Sequence, residues 1–332
     1  MSALEFDTLF QSFNALKIAV IGDVMLDTYW WGKVDRISPE APVPVVALSK
    51  KEQRIGGAGN VALNLAALNV NVHVITIIGN DDEGKQLVGL LNDNNINTDF
   101  IISNEERITT NKIRIISRNQ HMMRLDAEVT TSLTSNTEEI LINAFIKYVA
   151  EEKPQLVILE DYNKGLLTKN VIEKVINICK ENNILTAVDP KRKNFFEYTA
   201  VDIFKPNLHE VKEAFNILGE EVSEKLLGEM HDLLKEKLQH NISLITLSEK
   251  GVFYESGVEK NIIPTHIRSI ADVSGAGDTV IAVASVVYAA TKNVRMMAEI
   301  ANIAGGLVCE EVGTVAIDKN KLMEECKHLL SI

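Results

Sequence analysis

One glycine-rich turn in this sequence ends in an aspartate and could both bind an anion and accept a proton. The segment ADVSGAGDTVIAVASVVYAA spans residues 271–290 and predicts a short turn followed by a long apolar helix. Glycines at 275 and 277 allow the backbone to approach a ligand closely. The free N–H groups of the helix start would point at that ligand and favour an anion. A phosphoryl group in transfer develops such charge, and preorganised amides would stabilise it.

Asp278 is the candidate base of this turn. A carboxylate at the start of the helix can accept the proton of an attacking hydroxyl group. It can equally cap the helix, as aspartate often does. The length of the pattern and the agreement of its surroundings favour the catalytic interpretation.

The elements that must position this turn alternate between buried strands and amphipathic helices. Strands separated by helical crossovers imply a parallel sheet covered on both faces. We therefore expect an α/β fold with a central, mostly parallel sheet flanked by helices. The predicted strands are 17–22, 71–79, 155–160, 184–189, 201–207 and 242–248, and the predicted helices lie near 59–69, 82–92, 137–150, 169–182 and 208–217.

Two segments break this alternation and predict a small β-structured lid on the α/β body. Residues 28–50 are rich in proline and β-branched residues and have little helical period. Residues 107–125 partly alternate polar and apolar side chains, as an exposed hairpin does. The sequence has no internal repeat and no linker, so we expect residues 1–332 to form a single domain.

The stretch GNDDEGKQ, residues 79–86, nearly matches a phosphate-binding loop, but we reject that interpretation. Gln86 stands where the pattern G-x-x-x-x-G-K-[ST] requires a hydroxyl group for magnesium. Asp81, Asp82 and Glu83 would place carboxylates where such a loop must hold phosphates. An acidic helix start, which satisfies the positive end of the helix dipole, explains these residues better.

Composition and charge disfavour several classes of protein. The 332 residues are 46% hydrophobic and carry a net charge of -12, which repels nucleic acid and anionic membrane surfaces. No apolar run reaches the roughly 18 residues of a spanning helix, and the first residues do not resemble a secretory signal. Cys179, Cys309 and Cys326 form no CxxC pair, which is typical of reduced thiols. We expect a cytoplasmic protein without nucleic-acid or membrane partners.

The stretch DVSGAGD, residues 272–278, resembles the DTxGAGD motif of the ribokinase-like (PfkB) family of carbohydrate kinases. The resemblance covers nearly the whole chain beyond about residue 15 and implies a single ribokinase-like kinase domain that uses ATP. In the family the last aspartate is the base and the preceding amides form the anion hole. The resemblance therefore implies these roles for Asp278 and for Gly275, Ala276 and Gly277.

Two further stretches resemble the sugar-binding motifs of the family. IGGAGNVALNLAALN is similar to its N-terminal Gly-Gly motif, which implies that Gly56, Gly57 and Asn60 bind the sugar. GDVMLD ends the first predicted strand, where ligands of parallel sheets bind. There the resemblance implies that Asp27 accepts hydrogen bonds from sugar hydroxyls, whereas Asp23 could be a turn residue.

The same resemblance implies the nucleotide and magnesium sites. NLHE fits the NxxE motif of the family, whose Asn207 and Glu210 would hold Mg²⁺ through water near the ATP phosphates. Without the resemblance, these two residues would be a helix cap and its capping-box partner. Ser248, Gly251 and Asn302 lie where the family binds nucleotide and adenine.

The resemblance also implies a site for a monovalent cation such as K⁺. Carbonyl groups near Asp272 and Ser274 would hold it, as in some relatives. Ser274 itself departs from the pattern, because it replaces a threonine that is usual in the family.

Within the family, further stretches resemble the branch that phosphorylates a heptose 7-phosphate. RISPEAPVPVV, SRNQHMMRLD, EDYNKG and VDPK match it, with departures at Glu160, Asn163 and Lys205. This resemblance implies transfer from ATP to the anomeric hydroxyl of D-glycero-β-D-manno-heptose 7-phosphate, and it places Asp161 and Lys191 in the substrate site. Some members carry a fused nucleotidyltransferase domain. This sequence has no HxGH motif, so we expect a stand-alone kinase.

A basic cluster in the predicted lid independently favours a phosphorylated substrate. Lys112, Arg114 and Arg118 share one face if residues 112–118 are extended, and Arg124 lies just beyond. A neutral sugar needs hydroxyl partners, whereas a terminal phosphate needs fixed cations, preferably arginine. The alternative is a solvated basic edge that prevents strand aggregation.

Assembly and function each retain alternatives at this stage. The lid strands should have unpaired edges, which a second copy of the lid would cover most simply, so we expect a homodimer. Another sugar kinase of the same family is the nearest alternative function, and a catalytically silent sugar- or nucleotide-binding regulator is a second. Asp278, Asn207 and Glu210 together argue against the regulator, because a silent relative needs no base.

Overall fold

The structure, a computed structural model, describes residues 3–118, 120–219, 222–266 and 268–330. Asn119, inside the predicted lid segment, lies outside the described residues. The strands within these ranges are β1 (Lys17–Gly22), β2 (Val24–Ile37), β3 (Pro44–Gly57), β4 (Asn71–Gly79), β5 (Ile101–Asn104), β6 (Asn111–Ser117), β7 (Gln120–Ala127), β8 (Leu156–Glu160), β9 (Leu185–Asp189), β10 (Ile203–Phe204), β11 (Ile242–Thr246), β12 (Val252–Glu255) and β13 (Lys260–Ile263). The α-helices are α1 (Ala3–Ser12), α2 (Ala58–Ala67), α3 (Asp82–Asp93), α4 (Ser135–Glu152), α5 (Lys169–Glu181), α6 (Leu208–Ala214), α7 (Glu224–Leu238), α8 (Ala276–Thr291), α9 (Val294–Val308) and α10 (Lys319–Leu330).

The central sheet contains every strand that the sequence predicted for the α/β body. Its nine strands follow the order β13-β12-β11-β10-β9-β8-β1-β4-β5. All neighbours from β5 to β11 are parallel, and β12, which is antiparallel to both β11 and β13, is the one strand of this sheet that runs in the opposite direction. The predicted fold, a mostly parallel sheet flanked by helices, is therefore confirmed. Carboxyl ends of parallel strands meet at one edge of such a sheet, which is where ligands bind.

Helices cover both faces of this sheet because successive strand residues point to opposite sides. Along β1, Ile18 and Val20 join one hydrophobic core, whereas Ala19 and Ile21 join the other. The first core is completed by apolar residues of α1, α2, α8, α9 and α10, and the second by those of α4, α5 and α7. Helix α8 is almost wholly buried, which explains why its sequence is apolar on all sides.

A second sheet of four strands, in the order β3-β2-β6-β7, contains both predicted lid segments. Strands β2 and β3 form a long antiparallel pair, and β6 and β7 form the predicted hairpin. Strand β2 begins at Val24, directly after β1 ends at Gly22, so this sheet grows out of the edge where the strand ends of the body lie. We call this four-stranded sheet the lid sheet.

Two predicted boundaries are too wide. The strand predicted over 201–207 is reduced to β10, because Pro206 has no N–H group with which to continue the ladder. The backbone bonds to β9 still extend from Asp202 to Lys205. The helix predicted over 208–217 ends at Ala214, and Asn216 has a positive φ of 54° that no helix accommodates.

The rejected phosphate-binding loop is an ordinary capped helix start. The Asp81 carboxylate caps α3, since its Oδ1 accepts a hydrogen bond of 2.7 Å from the Gly84 N–H. Its Oδ2 accepts another, also of 2.7 Å, from the Thr109 N–H. These bonds occupy the carboxylate, and the structural interpretation of this stretch is confirmed.

No helix among the described residues is both long and apolar enough to traverse a bilayer. Cys179 and Cys326 are buried, Cys309 is half-buried, and all three are free thiols.

Candidate active site

The glycine-rich turn predicted to bind an anion lies at the start of α8. Gly275 precedes the helix with a φ of 79°, a left-handed conformation that favours glycine. A Cβ added to Gly275 would lie 2.8 Å from Nδ2 of Asn60, so the turn also needs the missing side chain for close packing. Ala276 and Gly277 open the helix. The Ala276 N–H donates a 3.3 Å bond to the Val273 carbonyl, and the Gly277 N–H has no acceptor within the helix. The predicted geometry of turn and helix is present.

Asp278 lies in the first turn of α8, is 7% exposed and is held at both oxygens. Asn60 donates a 2.7 Å hydrogen bond to Oδ2, and the Tyr162 hydroxyl donates one of 2.7 Å to Oδ1. Burial raises the pKa of Asp278 to about 6, although these two hydrogen bonds lower it. A carboxylate with this pKa is mostly ionised at neutral pH and is basic enough to accept a proton, as general base catalysis requires.

Three buried groups surround Asp278 at the ends of neighbouring strands. Glu160 ends β8, Asp189 ends β9 and Lys205 directly follows β10. Lys205 pairs with Asp189 at 2.8 Å, and one oxygen each of Glu160, Asp189 and Asp278 lie within 4.8 Å of one another. Burial and the neighbouring Asp189 and Asp278 carboxylates raise the pKa of Glu160 well above its usual value. Neither Glu160 oxygen has a hydrogen-bond partner among the described residues.

The sugar-binding residues predicted from the Gly-Gly motif lie where β3 enters α2. Gly57 has a φ of 60°, and a Cβ on Gly56 would lie 2.6 Å from Oδ2 of Asp27. Asp27, on β2, pairs with Arg114 at 2.5 Å, and Asn60 is fully buried against Asp278. The structure therefore brings Asn60 beside the candidate base, and Gly56 beside the Asp27–Arg114 pair.

One face of the lid sheet carries the predicted phosphate-binding cations. Arg114 on β6 lies directly opposite Arg124 on β7, and Lys112 lies two residues before Arg114 on the same face. Arg124 also pairs with Asp126 at 2.8 Å. Arg114 stacks over the ring of Tyr29 at 5.2 Å from its centroid. The basic cluster predicted from the sequence is thus present for three of its four members.

The fourth member, Arg118, is not where the prediction placed it. Strand β6 ends at Ser117, and Arg118 lies in the following turn with a φ of 50°. The side chain is 77% exposed, and its nearest carboxylate is that of Asp35, at 4.0 Å. Arg118 would share a face with Lys112 and Arg114 only if the backbone were extended through residue 118. The turn ends the strand before that residue, so Arg118 does not lie on that face.

Asp161, which was predicted to bind the substrate, forms hydrogen bonds within the protein in this structure. It is 1% exposed, and its Oδ1 accepts a 2.7 Å bond from the Asn163 N–H. Its Oδ2 accepts bonds from the Tyr198 hydroxyl at 2.7 Å and from Asn194 at 3.4 Å. Both oxygens accept bonds from protein donors, so the structure shows this residue fixing the loop after β8.

Asp23 is the turn residue that the sequence left as an alternative. Its carboxylate accepts backbone hydrogen bonds from Tyr162, Lys164 and Leu166. Burial raises the pKa of Asp23 to about 6, although these bonds lower it. The residue ties the loop after β8 to the end of β1 and thereby helps to place Tyr162.

Asn207 and Glu210 form a capping box at the start of α6. Asn207 accepts a 2.8 Å bond from the Glu210 N–H, and Glu210 Oε2 accepts one of 2.8 Å from the Asn207 N–H. Glu210 Oε1 pairs with Lys191 at 2.9 Å, and Lys191 lies 3.6 Å from Asp189. Because protein groups occupy both Glu210 oxygens, the donor set fits a metal held through water and not one bound directly.

The residues predicted to bind nucleotide lie in two turns beside the strand ends. Ser248 begins the turn after β11, with a φ of 55°, and Gly251 ends it with a φ of 98°. A Cβ on Gly251 would lie 1.9 Å from the Ile263 carbonyl oxygen, so only glycine fits there. Asn302, on α9, is 8% exposed and donates a 2.9 Å bond to the Pro264 carbonyl.

Asp272 and Ser274 form the turn that leads into the anion-binding segment. The Asp272 carboxylate accepts bonds from the Ser274 N–H at 3.0 Å and from the Ser274 hydroxyl at 2.8 Å. It also accepts a 3.0 Å bond from the Gly313 N–H, which joins this turn to the loop after α9. Such oxygen-rich loops suit a hard monovalent cation.

Sequence reasoning named Glu160 and Lys205 only as departures from the family pattern, and it missed Asp189, Tyr162 and Arg54. Tyr162, which donates to Asp278, follows directly after β8, and its place beyond the carboxyl end of a parallel strand could have indicated it. Arg54 was not singled out although it lies in the lid sheet opposite Asp27. It stacks over Tyr29 at 5.1 Å and donates to the carbonyls of residues 312 and 314, at 3.3 Å and 3.4 Å.

Solved structures identify the class of fold. Phosphofructokinase-2 from Escherichia coli, in complex with potassium, matches with a TM-score of 0.77 and 16% identity, over 93% of this chain and 99% of that one. Arabidopsis thaliana ribokinase, complexed with ribose and ATP, matches with a TM-score of 0.71 and 17% identity, again over 93% of this chain and 99% of that one. These likenesses show a ribokinase-like fold, as the sequence predicted.

Sequence relatives then identify the family. The model of the pfkB family of carbohydrate kinases matches residues 15–321. The bifunctional protein HldE of Sulfurimonas denitrificans is 39% identical over 311 residues, and that of Aliarcobacter butzleri is 38% identical over 309 residues. These matches cover 93% and 92% of this chain but only 64% and 63% of the relatives. The chain belongs to the pfkB family of carbohydrate kinases, and it spans less than two thirds of the length of these relatives.

Proposed function

We propose that this protein transfers the γ-phosphoryl group of ATP to the anomeric hydroxyl of D-glycero-β-D-manno-heptose 7-phosphate. The product is the 1,7-bisphosphate, a precursor for ADP-heptose and the lipopolysaccharide core. The observation that carries the proposal is the buried Asp278 carboxylate at the start of α8, directly after the turn of Gly275 to Gly277. The motifs that resemble the heptose 7-phosphate branch and the similarity to proteins named HldE support the choice of sugar.

Asp278 supplies the base of this reaction. Its carboxylate accepts the proton of the sugar hydroxyl as the oxygen attacks phosphorus. The N–H groups at the start of α8 face the phosphoryl oxygens and stabilise the charge that develops there. Asn60 and Tyr162 hold the carboxylate in one orientation, because each donates to a different oxygen.

Nucleotide binding involves Asn207, Glu210, Ser248, Gly251 and Asn302. Mg²⁺ neutralises the phosphates when it is bound, and Asn207 and Glu210 would hold it through water. Lys191 lies between Glu210 and Asp189 and places an ammonium group beside the same region. A monovalent cation such as K⁺ would be held by the turn of Asp272 and Ser274, which adjoins the anion-binding segment.

The remote phosphate of the sugar is bound by the lid face. Arg114, Arg124 and Lys112 are cations on a chain of net charge -12, and guanidinium groups bind phosphate in a forked geometry. In this proposal Asp27, which pairs with Arg114, contacts the sugar hydroxyls together with Gly56 and Gly57. Closure of the lid sheet over the sugar excludes water, which would otherwise compete as the acceptor.

Two lid copies in a homodimer would cover the edges of this sheet. Strands β3 and β7 are its edge strands, and their outer backbone groups are available for pairing. Exposed apolar side chains on β7, Met123 and Leu125 among them, favour such a contact. We propose a cytoplasmic homodimer.

A coupled assay of ADP release with a panel of sugars tests the proposed function. The panel contains heptose 7-phosphate, unphosphorylated heptose, fructose 6-phosphate, ribose and a nucleoside. We expect the highest kcat/KM with heptose 7-phosphate, and phosphorus NMR of the product should place the new phosphate on the anomeric carbon. A better rate with another member of the panel would make the protein a different sugar kinase. Binding of ATP and sugar without turnover would make it a silent regulator.

A further inference from the structure

Two positions at which the sequence departs from the family pattern lie together in the structure. Glu160 and Asp189 are direct neighbours in the parallel register of β8 and β9. Lys205 follows β10 one residue beyond the pairing of Phe204 with Val188, and so lies beside Asp189. Glu160 and Lys205 therefore flank Asp189 in one row across three strand ends. We call these three residues the strand-end row.

The strand-end row is buried and faces the start of α8. Glu160, Asp189 and Lys205 are 0%, 4% and 2% exposed. The alternation of side chains along each strand directs them to the same side as Ile158 and Ala187, whose core includes α8. A Cβ on Gly277 would lie 3.8 Å from the Lys205 ammonium and 3.9 Å from the Asp189 carboxylate. The row thus lies directly behind the anion-binding turn.

Charge in this row must be balanced, because an unpaired buried charge is costly. Lys205 compensates Asp189 at 2.8 Å. No such cation contacts Glu160 among the described residues, and both of its oxygens lack hydrogen-bond donors. Together with the raised pKa of Glu160, this indicates a neutral carboxylic acid beside Asp278. The charged groups that remain next to the base are then Lys205 and Asp189.

These two charges act on Asp278 in opposite directions. Beyond burial and its two hydrogen bonds, Asp189 raises the pKa of Asp278 and Lys205 lowers it. The groups that face Asp278 are Glu160 from β8, Tyr162 from the loop after it, Asp189 from β9, Lys205 after β10 and Asn60 from α2. Lys191 lies behind Asp189 and pairs with Glu210.

We propose that the Lys205–Asp189 ion pair sets the pH at which Asp278 can act as the base. In this proposal Lys205 and Asp189 are positioning residues, because they act through Asp278. Glu160 shares the site as an uncharged acid, so the row adds no net negative charge next to the base. The inference rests on the proposed role of Asp278.

Two substitutions that should move the acid limb in opposite directions test this inference. In Lys205→Met the acid limb of the profile of kcat/KM against pH should move upward by about one pH unit, because a nearby positive charge is lost. In Asp189→Asn it should move downward by a similar amount, because Lys205 then acts unopposed. A carbon NMR titration of labelled aspartate carboxyls should show the same shifts for Asp278, whose signal is identified by its absence in Asp278→Asn. Unchanged limbs, or limbs that move in the same direction, would overturn the inference.

Controls separate this effect from misfolding and from a wrong substrate. Lys327, on α10, pairs with Asp7, on α1, at 2.7 Å. Lys327→Met should therefore leave the acid limb of the pH profile unchanged. Lys205→Arg retains the charge and should retain the acid limb, and Glu160→Gln should move it little because the acid is already uncharged. A downward shift in Glu160→Gln of about one pH unit would show an ionised Glu160 and contradict the inference. The NMR titration needs no turnover, so it stands even if the proposed substrate is wrong.

Discussion

The strand-end row with Asp278 and the basic face of the lid sheet are both polar, but they differ in their access to water. Asp278, Glu160 and Lys205 are at most 7% exposed, whereas the side chain of Arg124 is 58% exposed and that of Arg114 is 20% exposed. Charges interact strongly where water is excluded and weakly where it screens them. We therefore expect the buried group to govern the chemical step and the exposed group to govern which substrate binds.

The largest effect should follow removal of the base. Asp278→Asn should lower kcat by about 10²–10⁴-fold, the usual scale for loss of a general base. ATP binding should change little, because the N–H groups at the start of α8 are retained. Steady-state kinetics and a calorimetric ATP titration measure the two quantities. Asp82→Asn, at the exposed start of α3, is the control. A variant that keeps more than about a tenth of the parent kcat, with chemistry rate-limiting, would rule out the assignment.

The lid face should affect recognition and not the chemical step. Arg114→Ala should lower kcat/KM for heptose 7-phosphate by roughly tenfold to a hundredfold, since a charge-assisted contact is worth about 1.5–3 kcal/mol. The unphosphorylated heptose should be affected much less. Arg118→Ala is the matched control, because that side chain lies exposed in the turn and should leave both substrates unchanged.

Two outcomes would contradict the proposed difference in role between the buried site and the exposed lid face. Equal losses on both sugars in Arg114→Ala would assign the residue to lid structure through its pair with Asp27. Equal turnover of the two sugars by the parent enzyme would refute the phosphosugar interpretation. Higher salt should weaken the preference of the parent enzyme for the phosphorylated sugar, because exposed charges are screened.

A smaller effect is expected from Tyr162→Phe, which removes one hydrogen bond to the charged form of Asp278. The pKa of Asp278 should rise, so the acid limb of kcat/KM should move upward by about half to one pH unit. At pH 7 we expect a loss of at most about twofold in kcat/KM, which grows to about threefold to tenfold as the pH falls below about 6. The pH profile measures this, and an unchanged acid limb would show that the hydroxyl group has no influence on the base.

The smallest effect should be that of Glu210→Gln. The glutamine can still accept the bond from the Asn207 N–H, so the start of α6 is retained. Its lost charge removes the pair with Lys191 and one anionic group near water-held Mg²⁺. We expect the Mg²⁺ concentration for half-maximal rate to rise by about a few-fold. Superimposed Mg²⁺ titrations of variant and parent would make Glu210 a purely structural residue.

The sequence by itself determined the α/β fold, the lid segments and the turn before Asp278. These features could be predicted because they depend on residues close together in the chain. The spacing of apolar residues indicates which face of one strand or helix is buried, and a glycine indicates a turn that other residues adopt poorly. Asn60 was also singled out, because its motif is contiguous, but it was predicted to bind the sugar and not to donate to Asp278 as the structure shows. The same local reasoning failed for Arg118, since one residue in a left-handed turn ends the strand on which its predicted orientation depended.

Only the tertiary structure decided which polar side chains meet. Asp161 and Tyr162 are neighbours in sequence, yet the loop after β8 turns the first towards Tyr198 and the second towards Asp278. Glu160, Asp189 and Lys205 are far apart in the chain and become a row because parallel strands align their carboxyl ends. Their ionisation depends on burial and on each other, and neither quantity is a property of a single residue or its neighbours in sequence.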